Sequence, residues 1–130
     1  MVTSHDDVRS ICARFPGALE GEDRFGFSAV VKGKAKGFCW TWMERVEPKK
    51  PKVENPRVLA IRVPNLQAKE MLIAALPEVF FDEPHYHGYP AVLTRLDAAD
   101  PEDLADVLEE GWRAVLGPGG KGSASRGPSA

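Results

Sequence analysis

Phe80-Phe81-Asp82-Glu83-Pro84-His85-Tyr86-His87-Gly88-Tyr89-Pro90 sets two imidazoles, two phenols, one glycine and two prolines between two apolar runs. Proline fixes its own φ, and glycine reaches backbone angles closed to other residues, so the stretch predicts a defined turn. Val79-Phe80-Phe81 before it and Ala91 to Leu96 after it are apolar runs of strand length. The segment therefore joins two strands, and its aromatic, polar-tipped, rigid composition suits a binding surface.

Working outward, Leu66, Leu72, Ile73 and Leu76 share the apolar side of a helix, with Asn65 as its N-cap and Pro77 as its end. Downstream, Asp100-Pro101 combines a cap residue with proline at the first helical position. Leu104, Val107, Leu108, Trp112 and Val115 form the buried stripe of that last helix, and Gly117-Pro118 closes it.

The first helix follows a Ser4-to-Asp7 capping pattern, with Val8, Ile11, Cys12 and Phe15 at helical spacing and Pro16-Gly17 as the stop. Phe25, Phe27, Ala29 and Val31 alternate, and so do Phe38, Trp40 and Trp42. They predict a hairpin turning over Gly33 to Gly37, with a lysine-rich tip. Val46 to Pro56 reads as a loop and Val58 to Val63 as a third strand. Alternation sets Phe38, Trp40 and Trp42 on one face, where they pack the helical layer, and leaves Cys39, Thr41 and Met43 on the other. The order helix, three strands, helix, two strands, helix predicts an α+β fold. Its antiparallel sheet would have five strands with helices on one face.

The 130 residues suit one domain, expected over 1–116, with one ordinary core. Residues 117–130 hold five Gly, three Ser and two Pro, a composition expected to form a disordered tail. No apolar run reaches the roughly 18 residues of a membrane span, and the N-terminus lacks the basic and apolar regions of a signal peptide. Two cysteines, Cys12 and Cys39, give no disulfide framework, which fits reduced thiols and a cytoplasmic location. The net charge of −2 argues against a dedicated polyanion binder but hides an asymmetry. Between Lys32 and Arg57 eight bases face three acids, whereas between Pro101 and Leu116 five acids face Arg113 alone.

The stretch Phe80 to Leu93, followed by Leu96-Asp97 and by Trp112 and Ala114, resembles the MmcQ/YjbR family. Phe15-Pro16-Gly17-Ala18 and Phe25-Gly26 support the likeness, which covers roughly residues 5 to 116. The resemblance implies a two-layer α-β(3)-α-β(2)-α fold similar to that of bacterial secretion chaperones, in small bacterial cytosolic proteins. Such proteins carry a DNA-binding label that rests on a double-winged shape, and no agreed enzymatic activity. This chain departs from the family in its long Lys/Pro loop and at Gly111, where family members often carry Glu or Asp. Glycine there predicts close packing of the last helix.

Two regions are candidate sites. In the first, the turn residues His85, Tyr86, Gly88, Tyr89 and Pro90 offer three chemistries. His85 and His87 with Asp82 or Glu83 suggest a metal, but a third ligand is not evident. His85 as general base with Tyr86 or Tyr89 as donor suggests catalysis, but no nucleophile is marked. Hydrogen bonding and packing of the turn itself is the plainer alternative. The second region is basic: Lys32, Lys34 and Lys36 on the hairpin, and Lys49, Lys50 and Lys52 in the following loop. Lysines so placed give sequence-independent, salt-sensitive contact with phosphates, or simply keep the hairpin tip solvated. The acidic last helix argues against reading of bases. Three functions stay open on these residues. The first is a non-enzymatic DNA-binding role. The second is an interaction module with a protein or peptide partner on an uncovered sheet face. The third is a small-molecule site at the His/Tyr turn. No cofactor and no membrane partner is expected.

Overall fold

The computed structural model describes residues 5–21, 25–44 and 53–116. Lys49, Lys50, Lys52 and the expected tail at 117–130 lie outside the described residues. The fold is α+β, with three helices and one antiparallel sheet. The helices are α1 (His5–Cys12), α2 (Leu66–Ala75) and α3 (Pro101–Leu116). The strands are β1 (Ala18–Glu20), β2 (Gly26–Val31), β3 (Lys34–Glu44), β4 (Val53–Arg62), β5 (Phe80–Phe81) and β6 (Ala91–Arg95). They lie in the order β1-β2-β3-β4-β6-β5.

The sheet thus has six strands where five were expected. The extra one, β1, has only three residues, too few for alternation to register, and its strand state comes from pairing Ala18 to Glu20 with Ala29 to Phe27. The β4 strand also reaches back to Val53, so the expected loop over Val46 to Pro56 is partly strand. Pairing of β3 with β4 jumps from Thr41–Leu59 to Trp42–Asn55, and Pro56 lies within that irregular stretch, where a missing N–H is tolerated.

Both long helices obey their capping signals, but Leu66, expected on the apolar side of α2, is 43% exposed in its first turn. Asn65 Oδ1 accepts from Ala68 N at 2.8 Å, and Asp100 Oδ2 accepts from Glu102 N at 3.2 Å. The predicted stripe of α3 is buried throughout. It packs with Val8, Ile11 and Cys12 of α1 and with the helix-side sheet residues Phe27, Phe38, Leu59 and Ile61. A Cβ at Gly111 would lie 2.6 Å from Arg62 O and 3.4 Å from Phe38 O, so only glycine lets α3 sit this close to β3 and β4. Trp112 stacks on Phe15, with centroids 5.3 Å apart, and its Nε1 donates to Pro16 O at 3.2 Å. The sequence Phe15-Pro16 therefore closes the end of the core, and α1 ends at Cys12, before Phe15 rather than at the expected Pro16-Gly17 stop.

Two expectations for the hairpin are corrected. Its turn is Lys32-Gly33, with φ of 53° and 79°, and Val31 pairs with Lys34. Two successive positive φ values make a tight primed turn matched to strand twist, so β3 begins four residues earlier than the glycines suggested. Further along, Phe27 pairs with Cys39 and Ser28 with Gly37, leaving Phe38 as the extra residue of a β-bulge. The bulge shifts alternation by one, so Phe38, Cys39 and Thr41 are all fully buried, the first two in the helix-side core. Trp40 and Trp42 emerge instead on the opposite face, against Val58, Ala60 and Leu93.

Candidate functional site

The open face of the sheet is where the predicted turn lands. Trp40 is level with Ala60, Ala60 with Leu93, and Leu93 with Phe81, forming one row across four strands. The chain leaving β5 passes through a 3-10 turn, Pro84–Tyr86, which folds Tyr86 over this row. Trp40 Nε1 donates to Tyr86 Oη at 2.9 Å, joining the hairpin to the turn across 46 residues of sequence. Gly88, with φ of 80°, then reverses the chain, and Tyr89 lies 6.1 Å from Tyr86, ring to ring. Tyr89 is 42% exposed, and the Arg62 guanidinium sits 6.0 Å from its ring centre.

A residue absent from the sequence reading holds this turn in place. Lys69 of α2 is 3% exposed, and its ammonium sits among three oxygens. Asp82 Oδ1 is at 2.8 Å, and Lys69 donates to Tyr86 O at 2.6 Å and to Tyr89 O at 3.0 Å. The signal was present: Lys69 is three residues from Leu66 and from Leu72, on the apolar stripe rather than the polar face. A lysine there either reaches out to water or, as here, is buried with partners.

Asp82 carries charge on both oxygens, with Oδ2 lying 3.3 Å from His87 Nδ1. Burial pushes the Asp82 carboxyl up. Lys69, the Glu83 backbone amide and His87 outweigh it, so the group titrates below the ordinary carboxylate value. His87 itself is exposed on the rim. His85 contributes backbone to the 3-10 turn, and its side chain lies outside the described residues. Pro90 ends the turn, its carbonyl accepting from Val63 N at 2.9 Å. Among the described residues no three His, Cys, Asp or Glu side chains converge to hold a metal ion. The Lys69 ammonium is buried, bonded to two carbonyls and paired with Asp82, so the arrangement acts as a clamp presenting Tyr86, Tyr89 and His87 on a fixed platform.

The predicted lysines are placed elsewhere. Lys32, Lys34 and Lys36 are exposed and none pairs with a described carboxylate. Pairing of β3 with β4 stops at Cys39–Ile61 and pairing of β1 with β2 stops at Ala18–Ala29, level with Lys36, so the β2–β3 hairpin runs on past both flanking strands only from Lys36 to its turn. The two steps from Lys36 to Lys34, at about 3.3 Å each, give a projection of about 7 Å before the turn. Lys36 pairs with the buried Ala29, so Lys34 and Lys36 share the helix-side face, away from Tyr89. Structure therefore separates the two candidate sites: the turn on the open face, the lysines on the projecting ribbon.

These features define a small α+β protein with an antiparallel sheet covered by helices on one side and an aromatic turn on the other. The solved structure of a Deinococcus radiodurans protein with a DUF419 domain, a fold family of the MmcQ/YjbR kind, has this fold. It superposes with a TM-score of 0.69 at 22% identity, over 91% of this chain and 82% of that one. Uncharacterised proteins of Mycobacterium bovis and Mycobacterium tuberculosis are 42% identical over 55 residues. That match takes in 42% of this chain and 43% of theirs, so it spans under half the length of the curated relatives. No family model matches the chain. Among the described residues no helix is long and apolar enough to cross a membrane.

Proposed function

We propose that this chain is a non-enzymatic nucleic-acid-binding protein that engages phosphates, without regard to sequence, through the β2–β3 ribbon. The observation that carries the reading is the ribbon itself. Its tip runs past the flanking strands from Lys36 onward, with Lys32 in the tight turn and Lys34 and Lys36 beside it on β3, each exposed and without a described carboxylate partner. The tight turn fixes the backbone that carries these lysines, and no described carboxylate has to be displaced before they meet a phosphate. Burial of Lys69, its bonds to the Tyr86 and Tyr89 carbonyls and its pairing with Asp82 support a structural rather than a catalytic turn.

Fluorescence anisotropy with a random duplex tests this. Three phosphate contacts give a slope of log affinity against log salt near −2.7, or about 40-fold weaker binding on going from 50 to 200 mM salt. Joint Lys34→Glu and Lys36→Glu substitution should abolish duplex binding. Unchanged affinity in that variant would remove the ribbon from the function. A protein-interaction role is the second reading, favoured by Leu19 and Val30, which are 53% and 50% exposed on β1 and β2. It predicts self-association or a captured peptide, and a monomer by light scattering at all concentrations would count against the former.

A further inference from the structure

The open face carries more than a turn needs. Trp40, Trp42, Phe81 and Tyr86 pack over Val58, Ala60 and Leu93 and bury them, leaving a partly exposed aromatic layer, and Tyr89 stands exposed at one end. Two arginines share this face. Arg95 pairs in register with Val58, and Arg62 lies four residues further along the same strand. The Arg95 guanidinium lies 4.1 Å from the Phe81 ring centre, and that of Arg62 lies beside Tyr89. Neither pairs with a described carboxylate. Arg95 donates only a long bond, 3.4 Å, to Pro77 O. Arg62 Nε is buried without a hydrogen-bond partner among the described residues. Structural arginines normally find carboxylates, so two unpaired guanidiniums held against rings are half of an interaction.

We propose that the open sheet face binds a single-stranded nucleic acid, with Tyr89 and Trp42 stacking bases and Arg62 and Arg95 holding separate phosphates. Charge complementarity selects this occupant. The face offers cations and π-surfaces together, and a single strand offers anions and unstacked bases together. A duplex hides its base faces within the stack and gains nothing from the aromatic row. Val58 to Arg62 spans about 13 Å, four residues at about 3.3 Å, so the guanidiniums address different phosphates of one strand. The proposal shares with the ribbon reading only the polyanionic partner, because the lysines sit on the other side of the sheet.

The test compares a labelled oligothymidylate with a duplex of equal length, for the wild-type chain, Tyr89→Ala, Arg62→Gln and the Lys34→Glu, Lys36→Glu pair. Tyr89 is exposed, so its truncation leaves the fold intact, which circular dichroism and a melt confirm. Expected is loss of about tenfold in single-strand affinity for Tyr89→Ala, the effect of one stacked base, with duplex binding unchanged. Arg62→Gln should lower the salt slope by about one. Retention of single-strand affinity in both variants overturns the proposal. If the lysine pair then abolishes all binding, the ribbon reading still stands. Loss of single-strand binding only in the open-face variants keeps this proposal and overturns the ribbon reading. A wild-type chain that binds neither nucleic acid overturns both. An oligoglutamate that displaces the single strand at equal concentration, or a dimer that Tyr89→Ala dissolves, also overturns it by naming a different occupant.

Discussion

Replacing Lys69 by methionine should destabilise the protein and free the His/Tyr turn. Methionine keeps most of the apolar stem that fills the site between α2 and the turn, but it removes the ammonium. Three oxygens then lose a charged donor. The loss is partial for each. Tyr86 O still accepts from Tyr89 N at 2.9 Å and Tyr89 O from Ala91 N at 2.8 Å, so neither carbonyl is orphaned. The Asp82 side chain is 29% exposed and recovers part of its solvation from water. The full 3–5 kcal/mol of a broken buried pair is therefore discounted, and two lost charge-assisted hydrogen bonds bring the expected effect to about 3 kcal/mol. For a domain of this size that lowers Tm by about 12 °C. Thermal melts give the size, and a cycle with Asp82→Asn gives the cause. If Lys69 and Asp82 act as a pair, the double variant should fall short of the summed single effects by about 1 kcal/mol or more. Tryptophan emission should also shift, because Trp40 loses its fixed partner Tyr86. A melt lowered by under about 3 °C, with additive substitutions, would refute the clamp.

Three further outcomes are expected. Gly111→Ala gains about 1 kcal/mol of helix propensity, but its Cβ meets backbone at 2.6 Å, so overpacking should win and lower the urea midpoint. The folded Asp82 titrates below its unfolded value, so its contribution is fully present above about pH 4 and is lost as pH falls through the folded value. Asp82→Asn should flatten that acid limb in urea titrations between about pH 2 and 5. Burial, with Cys12 beside it, pushes the Cys39 thiol well up, and both thiols are free and buried. A thiol reagent should therefore modify neither in native buffer and both in denaturant, and rapid native labelling would show that α1 opens locally.

Helix positions, caps and the buried stripe of α3 were legible because they are local: a cap bonds within three residues, and the stripe repeats every turn. The close packing expected at Gly111 also emerged, since a glycine in the middle of an amphipathic helix has few other uses. The turn at Phe80 to Pro90 was legible as a turn, but not what holds it. Lys69 clamps Tyr86 and Tyr89 from residues 17 and 20 positions away, a pairing that only the docking of α2 creates. Reading its place on the apolar stripe would have flagged it as a candidate for burial without naming its partners.

The sheet shows the same division. Alternation identified strand character along Phe25 to Val31 and Phe38 to Trp42, because side-chain period is a property of the extended chain. Which face each residue takes depends on register, and register belongs to the pair of strands rather than to either one. One extra residue at Phe38 carries Trp40 and Trp42 from the helical core to the open face. By itself the sequence determined the three helices, the order of five of the six strands and the aromatic turn. Tertiary structure decided that turn, tryptophans and arginines meet on one surface, because a single bulge inverts parity and no local pattern records it.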